Sequence, residues 1–468
     1  MNILRKKRID ALANEVGGSS LKRSLTSVDI VLMGIGVIIG TGIFVLTGLA
    51  AAKYAGPGIM VSFALSALAC IFVCLVYSEM ASAVPAAGSA YTYSYVSSGE
   101  FIAWMVGWNL VLEYSVGACA VAGGWSAYFV GLLKSRGHEL PTALTATPAE
   151  GGIVNLPAVL IVLFLTFLLV RGVKESATVN RILVAIKLVA IFIFLVLAGP
   201  SVDRTNWEPF LPYGVSGISA GAAIIFFAYL GVDSLATSAE ETQDPQRDMP
   251  IRIIGSLIVC TVLYVTVSAV MTGVVPYHEL NTAEPVTYVL RKLGYNFGSA
   301  LVGIGAIAGL TTVCLVMIYA QTRAFFAMAR DGFIPDCLCK VHPVYGTPHV
   351  ITVVVGLVIA AIAGFVPIGT VAEMCNIGTL FAFIVVMFGA MQMRREQPNI
   401  KRPFYCPAIN LVAPLGIVSC SYIMLSLPEA TWIRFVAWSL VGMVIYFGYG
   451  YKRSVLNRTI APIESKAT

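Results

Sequence analysis

Two ionisable residues lie deep inside long apolar stretches of the sequence. Lys187 is at the centre of VAIKLVA, and Glu113 lies in the stretch NLVLEYS. A lysine at the middle of a membrane helix costs roughly 2.5–3.5 kcal/mol on insertion scales, so a compensating role is expected. Since burial favours the neutral amine, such a lysine is suited to gain and lose a proton. For each residue, an ion pair or polar contact that fixes helix packing is the alternative to a proton-coupling role.

Glycines interrupt two of the apolar stretches. Residues 34–42 contain four glycines, and Gly231 follows the stretch FFAYL and precedes Asp233. Each glycine inside a helix costs about 1 kcal/mol relative to alanine. One interpretation is a Gly-x-x-x-Gly face for close helix packing. The other is unwound backbone near the middle of a bilayer, with free N–H and C=O groups for a ligand.

The surrounding sequence predicts the elements that must position these residues. Of 468 residues, 58% are hydrophobic and only 12% are charged, whereas soluble domains carry roughly 25% charged residues. Apolar runs of about 20 residues, each long enough to cross a bilayer, recur throughout the chain. Twelve membrane helices are predicted, at 27–49, 58–80, 101–132, 153–171, 181–199, 216–239, 252–274, 298–328, 349–366, 369–391, 408–427 and 432–451.

The distribution of basic residues predicts the orientation. Residues 1–24 are polar and basic, without the features of a signal peptide. Loops and tails on their side hold roughly three times as many Lys and Arg as the opposite loops, which places both termini in the cytoplasm. These basic residues are scattered over short loops, so no nucleic-acid partner is expected. The ten cysteines lack metal-binding or redox spacing, and no metal site is expected.

The two interruptions occupy equivalent positions, in the first and sixth spans, if spans 1–5 and 6–10 are two repeats. Paired interruptions of this kind indicate the binding site of a transporter. A membrane-embedded enzyme is not expected, because the sequence does not place a catalytic cluster at one depth.

The sequence resembles the amino acid–polyamine–organocation superfamily, and within it bacterial members of the cationic amino acid transporter family. The resemblance covers about residues 20 to 450 and is carried by a set of motifs: residues 36–44, 55–57, 77–82, 85–91, 108–114, 226–233, 240–241, 244–245, 247–250 and 330–332.

The resemblance implies an all-α polytopic fold of twelve transmembrane helices that works by alternating access. Five helices (about 25–200) and five more (about 215–392) form an inverted repeat, with the first and sixth helices discontinuous. Two further helices follow at about 408–451, within a single transporter domain of residues 25–451. Short cytoplasmic tails, 1–24 and 452–468, flank this domain in the cell membrane.

The resemblance also assigns roles to the intramembrane residues. Lys187 takes the place of a sodium ion found in sodium-coupled relatives and bridges the fifth span to the unwound backbone of the first. It is therefore the expected proton-coupling residue, with Glu113 as a second candidate. Four residues are expected to shape the backbone at the breaks and to take no part in proton coupling: Gly36, Gly40, Gly231 and Asp233.

A zwitterionic amino acid needs donors for its carboxylate and acceptors for its ammonium. Free N–H groups at Thr41 and Gly42 suit the carboxylate, and carbonyls near Ile38 and Phe227 suit the ammonium. The family pattern places substrate contacts at Ile38, Thr41, Gly42, Phe227, Ala228 and Leu230. Phe227 is expected to be the lid between the pocket and the outside solvent.

Met317 is expected to face the subsite for the substrate side chain, with Val116 and Cys119 as weaker candidates. Core filling is the alternative for Met317. No acidic residue is placed to meet a cationic side chain, so small neutral L-amino acids are expected: alanine first, then serine and glycine. Besides substrate and membrane lipid, protons are expected to take part as the coupling ion, and no cofactor is expected. Contacts with a small membrane protein or a sterol-like lipid are left open. A sodium-coupled carrier using Thr311 and Thr312, an uncoupled exchanger and a non-transporting sensor remain alternatives.

Overall fold

The computed structural model describes residues 4–7, 34–84, 89–172, 177–231 and 245–457, with only the backbone at 177–180, 245–253, 336 and 339. Within these residues every regular element is helical. Helix α1 consists of three consecutive pieces, Gly42–Leu46, Thr47–Ala50 and Ala51–Ala55. The other main helices are α2 (Ile59–Ala83), α3 (Ser89–Ser97), α4 (Glu100–Ser135), α5 (Leu156–Val170), α6 (Ala177–Ala198), α7 (Gly214–Ile225), α8 (Pro245–Val274), α9 (Pro285–Lys292), α10 (Asn296–Arg330), α11 (His349–Phe365), α12 (Ile368–Glu396), α13 (Ile409–Leu425) and α14 (Glu429–Ile445).

The described helices have the lengths and composition of a multi-pass membrane protein. Seven helical stretches are long and apolar enough to cross a bilayer: Gly42–Ala83, Glu100–Ser135, Arg181–Ser201, Ile254–Val274, Asn296–Arg330, Ile368–Glu396 and Glu429–Arg453. Helices α5, α7, α11 and α13 are shorter and also apolar. Each predicted span contains helix in its described part, whereas the count of twelve crossings and the inverted repeat stay predictions.

Large apolar side chains cover the outside of the bundle. Phe192, Leu425 and Val444 are 66–72% exposed, a burden that a protein surrounded by water would rarely carry. In a bilayer the same side chains face lipid tails, and the helices satisfy their own backbone hydrogen bonds. This surface therefore agrees with the membrane-embedded class predicted from hydropathy.

Small residues bring the central helices close together. A Cβ built on Gly305 of α10 would lie 2.6 Å from the Cβ of Ala190 in α6, so the two helices approach nearly to backbone contact there. Such close packing through glycine and alanine is typical of membrane helix pairs.

Two elements are interrupted within the bundle. Residues 34–38 are helical, residues 39–40 are not, and helical structure resumes at Thr41. Helix α7 ends at Ile225 and continues as a single tighter turn, Phe226–Tyr229. Gly231 then has a φ of +92°, a conformation that favours glycine. The glycine-rich stretches of the sequence therefore coincide with breaks in the helices.

Candidate functional site

The two helix breaks lie in direct contact. A Cβ built on Gly42 would lie 2.3 Å from both the Cα and the Cβ of Ala228, and one on Gly231 would lie 2.3 Å from Cγ1 of Val37. No real Cβ fits at such distances, so both glycines are required by the packing of one break on the other. The predicted substrate contacts Ile38, Thr41, Phe227, Ala228 and Leu230 meet here, and each is at most 4% exposed.

Tyr264 of α8 ties the two breaks together. Its hydroxyl donates to the carbonyl of Ile38 at 2.8 Å and to that of Ala228 at 3.0 Å. The ring is fully buried, with its centroid 5.5 Å from the ring of Tyr229. Sequence reasoning missed this residue. The available signal was a tyrosine inside an apolar span, because a buried tyrosine hydroxyl needs a hydrogen-bond partner.

Lys187 reaches the first break from α6. Its Nζ donates to the carbonyl of Gly36 at 2.6 Å and to that of Ile39 at 3.2 Å, and the residue is 1% exposed. A helix end leaves carbonyls without intrahelical partners, so the break creates acceptors for the ammonium. The structure thus places the lysine across the gap between the fifth predicted span and the first.

The side chain of Lys187 crosses α10 at Gly309. A Cβ built on Gly309 would lie 2.7 Å from Cε of the lysine, so only glycine leaves a channel for the methylene chain. Thr312, a candidate sodium ligand, donates to the Gly309 carbonyl at 2.8 Å. Thr311, the other candidate, accepts a hydrogen bond from the Trp125 indole at 2.9 Å.

On the other side of the first break, Thr41 has an unused hydroxyl. Its Oγ1 is buried and has no hydrogen-bond partner among the described residues. Thr41 opens the helical structure after the break, where the first N–H groups have no intrahelical partner. Unpaired donors at a helix start are suited to bind an anion such as a carboxylate. Gly40 lies beside this point, and a Cβ there would be 3.4 Å from Cγ2 of Val313.

The carbonyls at the end of α7 are held by polar side chains. The amide of Asn376 in α12 donates to the carbonyls of Ala223 at 2.7 Å and Ile224 at 2.9 Å, and the Ser66 hydroxyl donates to that of Ala222 at 3.1 Å. These contacts fix the direction in which the backbone leaves the helix. Asn376 was also missed, although an asparagine within an apolar stretch signals a polar partner inside the bundle.

Met317 lies against α4, half-buried. A Cβ built on Gly117 would lie 3.0 Å from its Sδ and 3.3 Å from Sγ of Cys375 in α12. Val116, the neighbour of Gly117, is 7% exposed. Cys119 donates from its thiol to the carbonyl of Ile359 at 3.4 Å. The cysteine therefore faces α11, and these contacts do not bring it to Met317.

The remaining predicted residues have less defined places. Glu113 is 3% exposed, and its backbone carbonyl accepts a bond from the Cys375 thiol at 3.2 Å. Gly36 contributes to the site through the carbonyl that Lys187 binds. Asp233 lies outside the described residues.

One stretch of the sequence has the spacing of a catalytic motif. Residues 217–221, GISAG, have the spacing of the nucleophile turn of serine hydrolases, which places the serine on a sharp strand-to-helix turn. In the structure these residues lie inside α7, and the Ser219 hydroxyl is bonded to that of Tyr422 at 2.5 Å. The pattern therefore forms no such turn.

Comparison of the sequence with known proteins identifies the family of this chain. The family model described as amino acid permease matches residues 25–448, and the chain belongs to this family. It is a multi-pass membrane transporter and not an enzyme, and the resemblance inferred from the motifs is confirmed.

Three relatives illustrate the range of the family. The chain is 46% identical to the branched-chain amino acid permease BcaP of Bacillus subtilis (strain 168), covering 98% of this chain and 99% of the relative. It is 44% identical to the methylthioribose transporter of the same organism, over 98% of this chain and all of the relative. It is 35% identical to the vacuolar cationic amino acid transporter 4 of Arabidopsis thaliana, over 85% of this chain and 68% of the relative.

Proposed function

We propose that this protein is a proton-coupled symporter of small neutral L-amino acids that works by alternating access. The observation that carries the proposal is the pair of hydrogen bonds from the Lys187 ammonium to the Gly36 and Ile39 carbonyls. Through them, a side chain that can lose a proton holds the backbone next to the predicted substrate contacts.

The coupling follows from the strength of those bonds. A charged ammonium binds a carbonyl roughly twice as strongly as a neutral donor does. Loss of the proton weakens the hold of Lys187 on Gly36 and Ile39 and releases the helix before the break. A proton on Lys187 strengthens its hold on the helix before the break, and a substrate bound beside the break favours the same closed arrangement of that helix. Glu113, buried in α4, is the candidate for a second proton-carrying group.

The proposed position of the substrate matches its two charged groups to hydrogen-bonding groups at the breaks. Its carboxylate accepts bonds from the Thr41 hydroxyl and from the N–H groups at the start of the helix, including that of Gly42. Its ammonium binds the Ile38 and Ala228 carbonyls, which Tyr264 engages in this structure. Phe227 and Leu230 cover the pocket.

The size of the side-chain subsite sets the preference. Met317 lies against Gly117, and we expect the space beside it to suit alanine, serine or glycine. A second candidate is a branched-chain amino acid, because the relative with 46% identity is named for such substrates. No acidic side chain has been placed in this subsite, which disfavours a cationic substrate.

The orientation and the coupling ion complete the proposal. The excess of basic residues places both tails in the cytoplasm of a cell membrane. Protons are favoured over sodium because the Lys187 side chain fills the space beside Gly309, next to the candidate sodium ligands.

The test is uptake into proteoliposomes containing the full chain, with proton and sodium gradients imposed separately. We expect accumulation of alanine when the outside is more acidic, and no accumulation with a sodium gradient alone. Accumulation that follows only sodium would replace protons as the coupling ion. Counterflow without accumulation under either gradient would show an exchanger.

A further inference from the structure

Residues 4–7 and 454–457 lie together at one end of the bundle, which we call the terminal face. Residues 4–7 form no regular element and lie against the start of α4. The Glu100 N–H donates to the Arg5 carbonyl at 2.8 Å, and the Lys7 N–H donates to the Tyr95 carbonyl at 3.3 Å. Arg5 and Lys7 are each only 8% exposed. Basic residues of a chain terminus are rarely buried to this extent unless they are paired.

Each of these two cations meets one buried acid. Lys7 Nζ is 2.8 Å from Oδ1 of Asp331, at the end of α10, and Arg5 Nη2 is 3.4 Å from Oε1 of Glu100. Asp331 is 5% exposed and Glu100 is fully buried. Asp331 also accepts a bond from the Tyr91 hydroxyl at 2.6 Å. It belongs to the motif of residues 330–332, to which the substrate site gives no role.

The C-terminal segment contacts the same two acidic residues. Ser454 donates from its hydroxyl to Oε2 of Glu100 at 2.8 Å, and the Val455 N–H donates to the backbone carbonyl of Asp331 at 3.1 Å. Arg5 Nη1 donates to Oδ1 of Asn457 at 2.6 Å, so the two tails also contact each other. Each acidic residue is therefore bonded to both ends of the chain at once.

The two ion pairs join the N-terminal segment to two closely packed helices. Glu100 begins α4 and Asp331 directly follows α10, and these helices pack together at Gly107 and Met328 and again at Gly117 and Met317. The ion pairs therefore hold residues 4–7 against the start of α4 and the end of α10. In chain order, the next described residues are the helix at 34–38, which ends at the first break.

We propose that residues 4–7 and 454–457 form a latch of two tails that keeps the terminal face shut, with the C-terminal segment required to hold the N-terminal one. The latch rests on the alternating access proposed above. It would open when the transporter faces the cytoplasm, and breaking either ion pair shifts the resting equilibrium toward that state. Because a buried charge that loses its partner is strongly unfavourable, the latch has two discrete states.

The test is amide hydrogen exchange of the full chain in lipid nanodiscs, without substrate. Two variants break the latch: Lys7→Met, which keeps the length of the side chain without its charge, and deletion of residues 454–468. We expect exchange about tenfold faster at the terminal face, in residues 91–100 and 328–333. Exchange on the opposite face, in residues 277–292, should be unchanged or slower, since opening one end closes the other.

Matched controls lie next to the latch. Lys6→Met removes a charge from the same segment, but Lys6 pairs with Glu396 at an exposed position, with 28% and 46% of the two side chains accessible. Deletion of residues 460–468 shortens the tail beyond Asn457. Both controls should exchange like the wild type. If a latch variant fails to fold, Asn457→Ala removes the acceptor for Arg5 together with a local bond from the Asn457 amide to the Tyr451 carbonyl, and a smaller change of the same sign is expected.

Two results would overturn the latch. One is wild-type exchange at the terminal face in both variants, and the other is equal loosening at both faces, which marks ordinary destabilisation. Neither result depends on which solute is carried. A protein that shows the latch behaviour but transports no amino acid would overturn the proposed function and leave the latch standing.

Discussion

The hydroxyl of Tyr264 lies 3.0 Å from the carbonyl oxygen of Ala228, and the same hydroxyl donates to Ile38 across the other helix break. These are the two carbonyls that the proposed substrate ammonium would bind. A tyrosine has a single hydroxyl proton, so it shares one donor between two acceptors. An ammonium brings three donors and a charge. We therefore interpret Tyr264 as holding the breaks together in the absence of substrate.

The first prediction is that Tyr264→Phe increases the stabilisation that substrate gives. Without the hydroxyl, two buried carbonyls lose a donor, which costs about 1–3 kcal/mol in the empty protein. A bound ammonium replaces that donor. The thermal shift on adding alanine should therefore be larger in the variant than in the wild type, although the empty variant melts earlier.

Tyr229→Phe is the matched control. Tyr229 belongs to the turn of the second break, but its buried hydroxyl donates to the carbonyl of Phe63 in α2 at 3.0 Å and not to a carbonyl of either break. It should lower stability without changing the substrate-induced shift. Equal shifts in the wild type and in both variants would show that Tyr264 has no special relation to the ammonium.

The second prediction concerns coupling. Lys187→Met keeps a long chain beside Gly309 but has no ammonium for the Gly36 and Ile39 carbonyls. Accumulation driven by a pH gradient should be lost, while the protein remains folded and inserted. Lys134→Met removes one charge at an exposed position, 71% accessible, and should accumulate normally. Uptake by Lys187→Met that still follows an imposed pH gradient would exclude Lys187 as the coupling residue.

The sequence predicted the site where the signal was local. An ionisable residue in an apolar run identified Lys187, clustered glycines identified the first break, and a glycine followed by an acidic residue indicated the second. These signals are local because bilayer hydropathy and helix propensity act on neighbouring residues. Tyr264 and Asn376 were missed because their partners are backbone carbonyls, which look alike in any sequence. Which carbonyls are released depends on how the breaks pack together in three dimensions.

The structure adds a packing requirement at Gly42 to the substrate contact that the sequence predicts there. The sequence indicated close access for a carboxylate, whereas the structure places Ala228 against the glycine. Cys119 is a weaker candidate for the side-chain subsite, and its thiol donates to the carbonyl of Ile359 in α11. A helix has several faces, and motif spacing alone did not decide which neighbour each face meets.

The third prediction follows from the contact at Gly42. In Gly42→Ala the added methyl would lie 2.3 Å from Ala228 atoms, so the breaks must separate. Overpacking of this kind costs about 1–3 kcal/mol. The melting temperature should fall even without substrate, and transport should be lost. The measurement is thermal unfolding in detergent together with proteoliposome uptake.

Gly40→Ala separates this effect from the general loss of a glycine. Its added methyl would meet only the Val313 side chain, at 3.4 Å, which is close to an ordinary contact. We expect it to keep most of its stability and transport. If instead Gly42→Ala melts like the wild type and fails only to bind substrate, the glycine serves the carboxylate alone.

The last prediction concerns substrate size. Met317→Ser removes several heavy atoms from the space against Gly117 and adds a hydroxyl that can bond a polar side chain. Small substrates lose apolar contact, at roughly 1–3 kcal/mol. Longer side chains gain room, and the membrane potential favours entry of an extra positive charge. The preference should therefore broaden from alanine toward long side chains, arginine included.

The measurement is competition binding of a panel of amino acids to the wild type, Met317→Ser and Met317→Leu. Leucine keeps the volume and apolar character of methionine, and such swaps usually cost less than about 1.5 kcal/mol, so the size ranking should not change. A serine variant with the wild-type ranking and only lower stability would show that Met317 fills the core. Because α4, α10 and α12 meet at Gly117, Met317 and Cys375, a change in ranking confined to the serine variant would identify this junction as the floor of the subsite.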